Sequence, residues 1–380
     1  MEDTDQYKYK KKSKVLFILH FPPPIHGSAV VGKLISESSI INSSFKCEYI
    51  NISTSRNTSE VGNKGIKKYI RTLQIYLKIL LKLCNNNYDL CYLAITVTNS
   101  GLFKDAPIVC LCKLFNNKII IHQHNKGISS FHKKRIYNRI YNYIYKNVKV
   151  MLLSEQLYND VSNYVDYRDV YFCPNGIKNK DIPNHSLART NKIPHLLFLS
   201  NLIESKGCII LLDACQKLKE KGILFYCDFV GGESKEISKE IFVQEIVSRN
   251  LSSNVFYHGP KYDTEKESFF CKSNIFVLPT YFDCFPLVII EAMQYRLPIV
   301  STFEGGIPDI VDNGTTGFLV KQKNSIELAD KLEKLILEPE LRKQMGEAGY
   351  LKYIEKFTLD KFEETFVKNL SNTLGEKNIK

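Results

Sequence analysis

The stretch FVLPTYFDCFPLVIIEAMQYRLPIVSTFEGGIPDIV, residues 276–311, reads as a strand, a helix and a second strand. Two short apolar runs, 275–279 and 299–302, flank a longer one at 287–293 that follows Pro286, a favoured first helical residue. Strands that are apolar throughout, joined by a helix, build a parallel sheet covered on both faces. One residue breaks the apolar helix. Glu291 puts a carboxylate where an ionised group is costly unless something pairs with it. Either a core partner satisfies it, or it faces a cleft and holds a ligand.

The same alternation extends in both directions. Strands are predicted at 14–20, 45–52, 90–96, 118–122, 149–154 and 169–173, then at 195–200, 225–230, 255–258, 275–279 and 299–302. Helices are predicted over 66–84, 129–146, 209–221, 234–249 and 286–295. The pattern restarts after the polar, proline-bearing segment 179–195. The expected class is therefore α/β, with two doubly wound, Rossmann-like domains facing a central cleft: 14–180 and 195–357. Residues 1–13 read as a basic flexible tail. Residues 358–380 read as a helix returning to the first domain.

A chain of 380 residues, 44% hydrophobic, is long enough for two cores. No apolar run reaches the roughly 18 residues of a membrane span, and no signal-peptide core precedes residue 20, so a cytoplasmic protein is expected. Eleven cysteines without such a signal suggest reduced thiols, and Cys110 and Cys112 read as small buried hydrophobes on a helix rather than ligands. The net charge of +12 is uneven: residues 1–190 hold 28 Lys+Arg and 13 Asp+Glu, so the rest is slightly acidic. A basic half can meet nucleic acid, an anionic membrane or a phosphorylated substrate. No nucleic-acid-binding motif accompanies the charge, so nucleic acid is not an expected partner. The segments 66–84 and 131–150 mix Lys/Arg with Tyr, Ile and Leu at helical spacing. Their apolar stripes either cover the sheet or lie on anionic lipid.

In doubly wound sheets ligands bind beyond the carboxyl ends of the strands. Five such places stand out. After the first strand, HFPPPIHGSAVVGKLI (20–35) brings Gly27 and Ser28 to a helix start, where free N–H groups attract anions. IIIHQHNKG (119–127) places His122, His124 and Asn125 at a strand exit, where a histidine could bond a substrate hydroxyl or assist proton movement. The H-x-H pair lacks an acidic or thiol partner nearby, so no metal is assigned. LFLSNLIESKG (197–207) offers Lys206 to a phosphate. FVGGESKE (229–236) offers Gly231 and Gly232 for close backbone approach. Asp283 precedes the helix that carries Glu291, so it is either a capping acid or a ligand-binding one.

Together these stretches resemble the retaining, nucleotide-sugar-dependent glycosyltransferases of the GT-B fold, family 4-like or group 1. That family's motif is an acid, seven residues, then Glu. Here it stands as Asp283 and Glu291, followed by EAM, LPIVST, GGIPDIV and NGTTGFLV, and preceded in order by PPPIHG, CPNGI, ESKG and FVGG. The resemblance implies that Glu291 holds the donor ribose and Asp283 the hydroxyls of the donor sugar. It implies that Lys206, with the backbone near Phe285, Pro286, Leu287 and Gly27, holds the diphosphate. His124 matches the family's histidine near the reacting sugar, with His122 a rival and Asn125 beside them on the acceptor side; Gly231 and Gly232 would line the donor pocket. Two departures stand out: Asp283 replaces the usual Glu, and Asn201 replaces the usual Arg of a phosphate clamp.

The implied reaction moves a sugar from a UDP- or GDP-linked donor to a hydroxyl acceptor, without metal or other cofactor. The acceptor would be a lipid-linked or polysaccharide chain of bacterial surface-glycan assembly, met at the inner face of the cytoplasmic membrane. Two rivals use the same scaffold: a nucleotide-sugar epimerase and a non-catalytic sugar-nucleotide-binding subunit.

Overall fold

The computed structural model describes residues 12–23, 26–54, 65–115, 117–182 and 192–375. Most of the expected tail, part of the 179–195 linker, and Pro24 and Ile25 lie outside them. The chain divides into two compact units. The first comprises residues 1–152, 159–173 and 363–380, and the second residues 153–158 and 174–362.

Among the described residues each unit is built on one six-stranded sheet. The first uses β1 (Lys14–Leu19), β2 (Lys46–Asn51), β3 (Leu90–Leu93), β4 (Lys118–Gln123), β5 (Lys149–Leu152) and β6 (Val170–Phe172), in the order β2-β1-β3-β4-β5-β6. The second uses β7 (His195–Leu199), β8 (Tyr226–Val230), β9 (Val255–Tyr257), β10 (Ile275–Val277), β11 (Ile299–Thr302) and β12 (Gly317–Val320), in the order β12-β11-β10-β7-β8-β9. Every pairing is parallel. The fully apolar strands foretold this: Val15, Leu16, Phe17, Ile18 and Leu19 are all buried, as a strand covered on both faces requires. The order reverses between β1 and β3 in the first sheet and between β7 and β10 in the second, so each sheet has one switch point.

The helix Leu359–Gly375 contributes its later turns to the first unit. Phe366 is buried there against Phe17 and Tyr92, and Lys118 Nζ donates to the Thr373 and Leu374 carbonyls at 3.0 and 2.9 Å.

Three local expectations are corrected. The sequence reading did not anticipate β12; its short run Gly317–Val320 follows a turn and gave no alternation to read. The helix expected over 129–146 is a 3-10 turn, Ile128–Ser130, followed by a helix at Arg135–Ile144. The carboxylate of Asp160 accepts from the N–H groups of Gly127, Ile128 and Ser129 at 2.8, 3.1 and 2.9 Å and holds that turn closed. A brace supplied from some thirty residues away has no local signature. The helix expected from 234 starts at Lys239, where Ser238 caps it by accepting from Ile241 N–H.

A buried carboxylate of the second unit gathers three cationic or imidazole partners. Asp228 on β8 is buried and accepts from His258 Nε2 at 2.6 Å, from His195 Nδ1 at 3.1 Å and from Lys272 Nζ at 3.1 Å. Burial alone would raise its pKa, but the hydrogen bonds from His195 and His258, with the Lys272 ammonium, hold it well below the usual carboxylate range. A depressed folded pKa means stability that is present above the unfolded value of about 3.9 and is lost as pH falls through the folded one. Asp228→Asn is therefore expected to cost about 3 kcal/mol at pH 7. The gap to wild type should begin to narrow below about pH 4. Thermal unfolding across that range checks it; a gap independent of pH would contradict the assignment.

Candidate functional site

The second unit's switch point brings two of the five stretches together. Beyond β7 a 3-10 turn, Glu204–Lys206, presents Lys206; beyond β10 the loop presents Asp283. Lys206 Nζ lies 2.5 Å from Asp283 Oδ2, with both side chains partly exposed. The loop is fixed on all sides. Thr280 Oγ1 and Tyr281 N–H both donate to the Ser205 carbonyl at 2.9 Å, tying it to the lysine turn. Asp283 N–H donates to Glu304 Oε1 at 3.0 Å, and Gly306 N–H donates to the Cys284 carbonyl at 2.7 Å. Glu304 is buried, and its other oxygen accepts from Gln322 Nε2 at 2.5 Å.

Pro286 takes the N-cap position rather than the first helical one, and the helix runs Leu287–Gln294. Ile289 N–H donates to the Pro286 carbonyl at 3.1 Å, which leaves the Leu287 and Val288 N–H groups at the start of the helix that follows Asp283. Ile289, Ile290, Ala292 and Met293 are buried, while Leu287, Val288 and Glu291 are half-buried and share the outer face.

Glu291 is thus not a core carboxylate. Its side chain is 26% exposed and accepts from Lys266 Nζ at 2.7 Å. The sequence pointed to a ligand as its partner; the structure adds a protein partner, Lys266, on the helix Asp263–Lys272. Both groups keep contact with water, so a hydroxyl donor can reach the remaining lone pairs.

Asn201 has a role the sequence did not show. Its Oδ1 accepts from Gly232 N–H at 2.9 Å, and Leu202 N–H donates to the Gly232 carbonyl at 2.8 Å. Asn201 thus braces the Gly231–Gly232 turn through its Oδ1. Sequence reasoning assigned no role to Lys266, Glu304 or Gln322. Glu304 was visible as an acid at a strand exit; Lys266 and Gln322 looked like ordinary surface residues.

In the first unit the exits of β1 and β4, the two strands that flank β3, carry histidines. His26 caps the helix Gly27–Glu37: its Nδ1 accepts from Ala29 N–H at 3.4 Å, and Ser28 Oγ lies 3.1 Å away. A Cβ built on Gly27 meets nothing within 4 Å, so packing does not demand glycine there. His20 and His26 have ring centres 5.7 Å apart, and those of His122 and His124 are 4.1 Å apart. Burial, with Lys104 and His26 beside it, lowers His20 to about 3, and burial with His20 and His26 lowers His124 to about 3. His124 is half-buried and neutral at physiological pH; it can exchange hydrogen bonds but brings no charge. Asn125 Oδ1 accepts from Val97 N–H at 3.4 Å.

His122 does not face a substrate. It is fully buried, with Nδ1 at 2.7 Å from the Tyr92 hydroxyl, and burial drives its pKa well down. His124 is two residues on, its ring 4.1 Å from that of His122, but β4 ends at Gln123 and His124 is half-buried where His122 is sealed.

The order of these elements and the placement of the acids can now be set beside known proteins. Residues 179–352 match the family model of the glycosyl transferases group 1. That match covers the part of the chain holding Asn201, Lys206, Gly231, Asp283 and Glu291. An uncharacterized glycosyltransferase of Methanocaldococcus jannaschii is 30% identical over 56% of this chain and 56% of its own length. The capsular polysaccharide biosynthesis glycosyltransferase CapM of Staphylococcus aureus is 28% identical over 48% of this chain and 49% of its own. The chain thus spans about half the length of these relatives. Among solved structures, Anabaena HepE in complex with UDP and glucose superposes with a TM-score of 0.70 at 18% identity, over 94% of this chain and 99% of that one. That likeness is one of fold, and it is the GT-B fold.

Proposed function

We propose that the protein transfers a sugar from a UDP- or GDP-linked donor to a hydroxyl of a saccharide acceptor, with retention at the anomeric carbon and with neither a resident metal ion nor another cofactor. The observation that carries the reading is the Lys206–Asp283 pair at the switch point, directly ahead of the helix that bears Glu291. The departing diphosphate gathers negative charge in the transition state. Lys206 and the helix N-terminus meet that charge, and a site preorganised in this way gains rate without reorganising. Glu291 takes the ribose hydroxyls, Asp283 takes hydroxyls of the donor sugar, and the braced Gly231–Gly232 turn lines the pocket. Neutral His124 hydrogen-bonds at the reacting sugar. The group 1 match and the likeness to a capsule enzyme support the reaction class and a polysaccharide acceptor. In the same reading that acceptor is lipid-linked and belongs to bacterial surface-glycan assembly, with the enzyme peripheral to the inner face of the cytoplasmic membrane.

Thermal unfolding against a panel of UDP- and GDP-sugars tests this. A donor at a hundred times its Kd stabilises the folded state by about 2.7 kcal/mol. Glu291→Gln removes a charged acceptor, so it should weaken donor binding about ten- to a hundredfold while the unliganded protein melts as wild type does. A panel without any stabilising member, or undiminished affinity in Glu291→Gln, would end the reading. The anomeric configuration of the product, read by NMR, checks retention separately.

A further inference from the structure

The helix Ile66–Asn85 has an apolar face that, among the described residues, nothing covers. Of its twenty residues only Ile79 and Leu83 are buried. On another face Ile66, Tyr69, Ile70, Leu73, Leu77 and Leu81 stand 50% to 77% exposed. Steps of four, three, four and four connect Ile66, Ile70, Leu73, Leu77 and Leu81, so these five make one stripe that runs almost the whole helix, about 30 Å. An exposed stripe of this kind on a protein surface marks a contact.

Charge identifies what the contact is with. The helix contains Lys67, Lys68, Arg71, Lys78 and Lys82 and no acidic residue. By helical geometry Lys67 and Lys78 lie nearest the stripe, on one flank, with Arg71 and Lys82 farther round the same side and Lys68 opposite; Lys82 also pairs with Glu48 at 2.7 Å, and Arg71 donates to the Thr54 carbonyl at 2.7 Å. The neighbouring helices continue the pattern. Tyr76 donates its hydroxyl to the Lys104 carbonyl at 2.6 Å, joining the helix to Asn99–Leu114. Phe103 of that helix meets Tyr137 of the helix Arg135–Ile144, with ring centres 5.2 Å apart. Residues 65–150 together hold 15 Lys+Arg against two Asp, a balance of +13 in a chain whose net charge is +12. The protein's whole excess of positive charge therefore belongs to the segment that exposes the stripe.

We infer that this face docks on an anionic lipid bilayer, with the helix Ile66–Asn85 lying in the plane of the headgroups. The stripe enters the boundary between headgroups and acyl chains, and the lysines beside it meet lipid phosphates. Among the described residues no helix is long and apolar enough to cross a membrane, so the contact is one of lying on the surface. A second copy of the chain fits less well, because two such faces would bring their cations together and repel. The inference deepens the membrane-side part of the reading above, yet lipid binding is measurable without donor or acceptor, so either can fail alone.

The test is flotation of the full chain with phosphatidylcholine vesicles, with and without phosphatidylglycerol. The wild type should float with the anionic vesicles only, and less as salt rises. Leu73→Gln/Leu77→Gln should lower partition to anionic vesicles about tenfold while melting as wild type, since both side chains are exposed. Lys67→Gln/Lys78→Gln should weaken binding to the same vesicles and flatten its salt dependence. Three results overturn the inference: no flotation of the wild type, equal flotation of wild type and the leucine variant, or a sedimenting dimer that the leucine variant dissociates while no lipid is bound.

Discussion

Lys206→Ala is expected to lower kcat about a hundred- to a thousandfold, the effect of removing one preorganised partner of a developing negative charge. Lys206 Nζ lies 2.5 Å from Asp283 Oδ2. In the proposed reaction the diphosphate would bring stronger anionic oxygens to the same ammonium, and the sugar hydroxyls would replace what Asp283 gives up. The lysine thus gains interaction as the bond to the sugar breaks, which is why its loss should fall on kcat more than on donor affinity. Its turn is anchored by backbone contacts rather than by its own side chain: the Ser205 carbonyl accepts from both Thr280 and Tyr281. The variant should therefore keep the wild-type melting temperature within a few degrees. Lys206→Arg, with charge kept but shape changed, should recover part of the rate. Steady-state kinetics with the donor selected by thermal shift decides the matter; a kcat within threefold of wild type in Lys206→Ala would remove the lysine from the reaction.

Gly231→Ala should be the most destabilising single methyl in the second unit, at about 3–4 kcal/mol. A Cβ there would stand 1.9 Å from the Ser200 carbonyl oxygen. The backbone cannot retreat, because the turn is held from several directions. Gly231 N–H donates to the Gly259 carbonyl at 3.0 Å, Tyr257 donates its hydroxyl to the Gly231 carbonyl at 2.9 Å, and Asn201 accepts from Gly232 N–H. Gly222 is the control. It has φ of +73°, but a Cβ there meets nothing within 4 Å. Gly222→Ala should therefore cost only the conformational preference, about 1 kcal/mol. Calorimetric melting of the two variants separates collision from backbone preference; similar losses in both would mean the turn yields.

Much of the candidate site was legible because strand exits are local features. Apolar runs of four to six residues, each followed by an unusual residue, placed Asn201, Lys206, Gly231 and Asp283 in loops or turns at strand exits, and a carboxylate inside an apolar helix marked Glu291, without knowledge of strand order. The partners were not legible. Lys206 and Asp283 are 77 residues apart, and Lys266 meets Glu291 across two helices. Nothing in the pattern around Lys266 distinguishes it from a solvated lysine. The brace that Asn201 provides was hidden in the same way, because its amide oxygen binds a turn beyond the next strand.

Periodicity by itself determined the class of this protein, because a strand buried on both faces must be apolar at every position and a helix between such strands must follow its own repeat. It also fixed where the chain leaves each strand. The order of the strands, and with it the meeting of Lys206 and Asp283, was decided only by tertiary structure, since pairing depends on contacts that no short window contains. The same holds for burial. His122 and His124 are two residues apart and chemically identical, yet one is sealed under Tyr92 and the other is half-buried. The helix Ile66–Asn85 shows an apolar stripe in sequence, and only the packing of Ile79 and Leu83 reveals that the stripe is the face left to solvent.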